Sequence, residues 1–196
     1  MTDIRAEGVA QAYRPAKTFT SAEFHRKQRR HFLLFDVLPA LGTLFALVDA
    51  PRVPPSGLDL ALFFILWLVT GLGLTVGFHR YFSHRAFATK RWVAYGLLAA
   101  GSMAARGSMM SWVIMHRRHH ECSDREGDLH SPHAPHGGWR GLLHAHFTWM
   151  AAHDYPNVVH YAPDLLRDRA VQRWNRQYHL WVVAGLLVPA LVGGLV

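Results

Sequence analysis

Four apolar runs divide the chain. Residues 32–48 are apolar apart from Asp36 and Thr43, a run just long enough to cross a bilayer. Pro39 lies inside it, which a membrane helix tolerates. Residues 49–57 hold Pro51, Pro54, Pro55 and Gly57 and predict a short loop between helices. Residues 58–78 supply the roughly twenty apolar positions a span requires, with Asp59 only at their start. Residues 180–196 are almost wholly apolar and predict the start of a third span.

The remaining run, residues 92–115, reads differently. A crossing here would put the polar residues before it and after it on opposite faces of the membrane. Arg106 also lies in its interior, and a central arginine costs about 3 kcal/mol on insertion scales. Three glycines and several alanines weaken it as an isolated helix. The expectation is a helix lying at the interface or under the first hairpin. Residues 139–152, with Trp139, Phe147 and Trp149, predict a second interfacial helix. Residues 164–179, rich in arginine, predict a polar helix feeding the last run.

The pattern predicts an all-α integral membrane protein. It comprises a transmembrane hairpin (residues 32–48 and 58–78), cytoplasmic or interfacial helices, and the start of a further span at 180–196. A basic cytoplasmic tail occupies 1–31 and one membrane domain 32–196. Composition agrees: 51 % of the 196 residues are hydrophobic and 17 % charged, poor in charge for a soluble domain. The net charge of +8 suits an anionic partner, and the apolar runs make a membrane the better reading than nucleic acid, for which no motif is present. Arg26, Lys27, Arg29 and Arg30 lead straight into the first run, whereas the loop at 49–57 carries only Arg52. By the positive-inside rule, the open ends of the hairpin face the cytoplasm, and the localisation expected is multi-pass in a bacterial inner membrane. Residues 1–15 read as a solvated tail. The single cysteine, Cys122, excludes an intramolecular disulfide.

Candidate chemistry sits at those open ends. His79 and His84 close the second run, and His116, His119 and His120 follow the third. Positions i, i+3 and i+4 share a helix face, so the second cluster can point at one place, with His119 at its centre. His79 and His84 are five apart and diverge by about 140° on an ideal α-helix. They converge only if the helix ends or the chain turns between them. Together the clusters suggest a metal site at a membrane surface. Imidazole suits zinc, copper and iron alike, thiolate ligands are absent, and no His-Glu-x-x-His motif occurs. Asp124 and Asp128 are candidates to accept the distal ring N–H of a ligand and fix its tautomer, with His130 beside them. The other histidines (His133, His136, His144, His146, His153 and His160) read as polar surface or supporting groups. Arg117 and Arg118 are candidates to contact substrate phosphates.

The stretch Thr75-Val76-Gly77-Phe78-His79-Arg80-Tyr81-Phe82-Ser83-His84-Arg85 resembles the first histidine box of membrane fatty acid desaturases. His116-Arg117-Arg118-His119-His120 resembles their second. Ser123 to Pro132 resembles the segment that follows it in bacterial acyl-CoA desaturases, with Leu129 where proline is usual. Tyr161-Ala162-Pro163-Asp164-Leu165 has the look of the family ahead of its second hairpin. The resemblance implies an oxidoreductase that introduces a double bond into a fatty acyl chain, with O₂ as oxidant and a di-iron centre. His79, His84, His116, His119 and His120 would be iron ligands, with no catalytic residue beyond them. Its partners would be an acyl-CoA or lipid-linked acyl substrate and an external electron donor, a small haem protein or a ferredoxin with its reductase. A membrane di-iron hydroxylase and an inactive metal-binding fragment are the alternatives. The family carries a third box, His-x-x-His-His, after the second hairpin, with another histidine before it. The chain stops at Val196, ahead of both, so the resemblance predicts a C-terminally truncated member without activity on its own.

Overall fold

The computed structural model describes residues 16–133 and 137–194. The solvated tail expected over 1–15, His136 and the last two residues of the expected third span lie outside them.

Helix α1 runs unbroken from Ala22 to Asp49. It begins well ahead of the apolar run because Ser21 caps it, its hydroxyl accepting from Phe24 N at 3.1 Å, and because no Gly or Pro interrupts residues 22–38. The last third of the expected basic tail, residues 22–31, is therefore the polar extension of the first span. At Leu33–Val37 the helix widens into a π turn, just before Pro39, which cannot donate to the carbonyl of Phe35. Helix α2, Gly57–Ser83, starts with a capping box in which Ser56 and Asp59 satisfy each other. Both helices are long and apolar enough to cross a membrane. Their apolar faces are exposed, Phe45 to 71 % and Trp67 to 67 %, as lipid-facing surfaces are.

The run at 92–115 is two helices, not the single interfacial one expected. Helix α3, Arg91–Met103, ends in a turn where Ala105 and Gly107 take φ of 55° and 90°. Helix α4, Met109–Cys122, restarts on the Ser108 cap. The two run antiparallel along the end of α2, with Leu97 against Gly77 and Gly101 against Gly73 on the way in, and His116 against His79 on the way back. Gly101, one of the glycines that weaken α3 in isolation, permits this contact. A Cβ on Gly73 would lie 2.1 Å from the backbone nitrogen of Gly101, so only small residues let these helices meet. Arg106, at the tip of the hairpin, is neutralised by an ion pair with Asp36 of α1.

Helix α5 (Gly138–His146) and a 3₁₀ turn (Thr148–Ala151) occupy the second expected interfacial segment. A single turn, α6 (Val158–Tyr161), comes next, and the polar helix expected over 164–179 is instead two short pieces, α7 (Pro163–Arg167) and α8 (Arg169–Arg176). Asp168 divides them by capping α8 through Ala170 N and Val171 N, both at 3.0 Å. A 47° bend then leads into α9, Tyr178–Gly194. Besides the helices, the described residues form one two-stranded antiparallel pair, β1 (Thr18–Phe19) with β2 (Tyr155–Pro156). Phe78, Leu98, Met109, Val113 and Ile114 are buried to within 1 % of full coverage and form the core directly beneath the histidines. The chain is thus a helical integral membrane protein.

Candidate metal centre

His79 and His84 converge by a device absent from the sequence reading. From Gly73 to Ser83, α2 is wound as a π-helix. Its hydrogen bonds span five residues, so His84 N donates to His79 O at 3.1 Å and Ser83 Oγ to Phe78 O at 2.8 Å. Residue i+5 then follows residue i by one turn, and the two imidazoles stand 4.7 Å apart between ring centroids. The helix widens between them and ends at Ser83, as expected, with His84 as its C-cap. Such segments concentrate at functional sites.

Helix α4 brings His116 and His120 to the same place. One ring nitrogen from each of His79, His84, His116 and His120 lies within 4.8 Å of the other three. His116 Nε2 is 2.9 Å from His84 Nε2 and 3.0 Å from His120 Nε2. Burial first, and then the neighbouring histidines, push His116 down to about 3. The same two causes lower His84. Four imidazoles with converging ring nitrogens are a donor set that fits a transition metal. Trp112, one turn before His116, stacks on it at 4.8 Å and fixes the ring plane. Its i−4 spacing was the available signal for it.

His119 does not join this group. Successive residues on an α-helix diverge by about 100°, so His119 leaves the face shared by His116 and His120. It belongs to a second cluster with Asp128 and His130. Its Nδ1–H donates to Asp128 Oδ1 at 2.9 Å, which leaves Nε2 with a free lone pair. Asp128 is buried and also accepts from the backbone nitrogens of Asp124 and His130 at 2.9 and 3.2 Å. Burial would raise its carboxyl, but the His119 hydrogen bond and these two N–H groups outweigh it and lower it. Asp128 therefore has the orienting geometry. Asp124, the other candidate, touches no histidine; it turns the loop at φ 56° and accepts from Ser131 Oγ at 3.1 Å. His130 stacks on His119 at 4.2 Å.

The arginine candidates are committed elsewhere. Arg117 donates to the carbonyls of Phe82, Ser83 and Tyr161 at 2.8–3.1 Å. It also grips both oxygens of Asp164 at 2.8 and 3.0 Å. It locks the end of α2 to α4 and α7, and so holds His84 against His116 rather than facing a substrate. Arg118 donates Nε to Gly127 O at 2.9 Å and braces the Asp128 loop. Asp164 also accepts from Arg85 Nε at 2.9 Å. Burial opposes its ionisation, but Arg117 and Arg85 together hold its carboxyl at about 2.

Beside the four histidines opens a cleft of 480 Å³ between α1, α4 and residues 149–155. Phe24, Trp112, Met115, His116, His130 and Trp149 line it. It is apolar with histidine at one wall, the shape of a site for a carbon chain.

No family model matches the chain. It is 41 % identical over 196 residues to the hex-5-enoyl-[acyl-carrier protein] acetylenase of Moorena producens (strain JHB), covering 94 % of this chain and 61 % of that protein. It is 31 % identical over 156 residues to the sn-1 stearoyl-lipid 9-desaturase of Anabaena variabilis, covering 78 % and 54 %. To human stearoyl-CoA desaturase 5 it is 32 % identical over 169 residues, covering 83 % and 48 %. The chain thus spans about half to three fifths of the length of these curated relatives. These likenesses extend over most of its residues and include both histidine clusters, and on them the chain belongs to the membrane fatty acid desaturase family.

Proposed function

We propose that the chain carries the first two histidine clusters of a membrane desaturase that introduces a double bond into a fatty acyl chain held on CoA or a lipid. The observation that carries this reading is the convergence of His79, His84, His116 and His120 to within 4.8 Å at the wall of an apolar cleft. In this reading those four histidines hold one iron. His119 faces away from it and, oriented by Asp128, is offered to the second iron of a pair. When bound, the iron pair supplies the activation of O₂, which with two electrons from an external donor and two protons removes two hydrogens from the chain and leaves as water.

The protein's own residues do the rest. Asp128 sets the tautomer of His119. The Arg117–Asp164 pair keeps α4 in register with α2, so that the imidazoles stay together. The cleft excludes water and holds the acyl chain in one bend, because an unactivated C–H bond is selected only by position. The basic residues of α1 lie at the same end as the histidines, with Gln28 donating to His153 O at 2.9 Å, which supports a multi-pass arrangement with the site toward the cytoplasm. The electron donor would be a small haem protein or a ferredoxin with its reductase. A second reading concerns substrate and product: the likeness to an acetylenase acting on an acyl-carrier-protein thioester supports a short carrier-bound acyl chain and a triple bond.

The test is mass-spectrometric analysis of acyl products in cells expressing the complete gene with iron and O₂. A new olefin supports desaturation and an alkyne the second reading. An alcohol would make the protein a hydroxylase. Bound metal without O₂ consumption would leave only a metal-binding role.

A further inference from the structure

A second cavity, of 890 Å³, shares no lining residue with the cleft beside His116. Arg85, Arg91, Arg167 and Arg169 surround it, and Phe82 and Val171, both buried, form part of its floor. Two carboxylates also line it, but neither is available. Asp164 is held between Arg117 and Arg85, and Asp168 spends its side chain on the first N–H groups of α8. Among the described residues, Arg91, Arg167 and Arg169 carry no ion pair or hydrogen bond. Three guanidinium groups without a carboxylate partner around one concavity repel each other, and an anion placed between them relieves that repulsion. Their planar forks match phosphate oxygens in pairs.

The surroundings favour an amphiphile over a bare ion. Trp92, next to Arg91, is 72 % exposed, and tryptophan beside arginine marks headgroup depth at a membrane. The wall is tied to the last apolar helix by stacked rings, Tyr95 on Trp174 at 4.9 Å and Trp174 on Trp181 at 5.4 Å. Basic pockets in such positions take lipid phosphates. We propose that this cavity binds the phosphate of an anionic amphiphile, with Arg91, Arg167 and Arg169 on the phosphate and the Phe82–Val171 floor against its carbon chain. That group comes either from a bilayer phospholipid or from a soluble phosphate compound. The proposal is independent of the iron chemistry.

The experiment is native mass spectrometry of the chain released from micelles of equal phosphatidylglycerol and phosphatidylcholine, with a parallel calorimetric titration of inorganic pyrophosphate. Retention of phosphatidylglycerol over phosphatidylcholine by about tenfold, the effect of roughly one charge-assisted contact, is expected, and its loss in the Arg91→Gln/Arg167→Gln/Arg169→Gln variant. Pyrophosphate binding that the same variant loses, without lipid enrichment, overturns the amphiphile and leaves the arginines as a site for a soluble phosphate compound. Neither effect in the wild type, or either one unchanged in the variant, overturns the proposal. If the triple variant does not fold, arginine-selective modification of the wild type decides instead. Phosphatidylglycerol or pyrophosphate must shield Arg91, Arg167 and Arg169 and leave Arg125 reactive; no shielding overturns the site.

Discussion

Arg106, at the tip of the α3–α4 hairpin, is paired with Asp36 of α1. Each is the charge that makes its own apolar run look unsuitable for a membrane, and each cancels the other. Asp36 has only 10 % of its side chain exposed and Arg106 has 42 %, so the pair lies between surface pairs worth up to about 1 kcal/mol and buried pairs whose breakage costs about 3–5 kcal/mol. Asp36→Leu alone should cost about 2 kcal/mol, a fall in melting temperature of about 4–8 °C for a chain of this size. The double variant Asp36→Leu/Arg106→Met should recover most of it. Thermal unfolding in detergent measures both, and a double variant worse than the single would show that the pair is not coupled.

The division of the histidines into two groups predicts unequal effects. His116→Ala removes the imidazole nearest to both His84 and His120 and should abolish metal binding at the four-histidine site. His119→Ala removes a ring that faces Asp128 and should leave that site's metal in place. Metal per chain, read by plasma mass spectrometry after loading with cobalt(II), separates them. Equal loss in both variants would mean that the five histidines act as one set.

The π-wound segment, the hairpin at 92–115 and the fate of Arg117 mark where the sequence stops being readable. The apolar runs, the convergence of His116 with His120 and the pairing of Asp128 with His119 are legible from residue type and local spacing, whereas the departure of His119 from the face of His116 and His120 is not what that spacing predicts. The five-residue gap between His79 and His84 signals a departure from α geometry but not which one, because winding depends on what packs against Gly73 and Gly77. The turn at Ala104–Gly107 is hidden inside an apolar run, where glycine and alanine fit a close helix crossing as well as a break. Arg117 looks like a free cation because its acceptors, Asp164 and the carbonyls of Phe82, Ser83 and Tyr161, come from segments distant in sequence.

Asp164 sets an acid limit on this clamp. Its carboxyl ionises at about 2 in the folded protein against an ordinary value of 3.8. A depressed folded value contributes stability that is fully present above the unfolded value. That stability is lost as pH falls from about 4 to about 2, and it amounts to about 2 kcal/mol, since one unit is worth about 1.4 kcal/mol. Asp164→Asn should lack it throughout, so the variant melts lower at pH 7 and converges on the wild type near pH 2. Melting temperature followed between pH 7 and 2 is the measurement. Parallel curves with a constant offset would assign the loss to packing rather than to charge.

Glycine at position 73 makes the histidine geometry possible. A Cβ there would lie 2.1–2.6 Å from the Ala100–Gly101 backbone of α3, whereas one at Gly71 would meet nothing within 4 Å. Both positions are helical, so alanine gains about 1 kcal/mol of propensity at either. At Gly71 that gain stands alone, and Gly71→Ala should be neutral or slightly stabilising. At Gly73 the added methyl meets backbone, which cannot rotate away. Overpacking costs about 1–3 kcal/mol, and relief requires α3 to move off α2. The α3–α4 hairpin carries His116 and His120, so such a movement draws them from His79 and His84. Gly73→Ala should therefore weaken metal binding as well as lower the melting temperature, although it touches no histidine. A Gly73→Ala protein that melts lower but binds cobalt(II) with unchanged affinity would show that the site is held by the Arg117–Asp164 clamp alone.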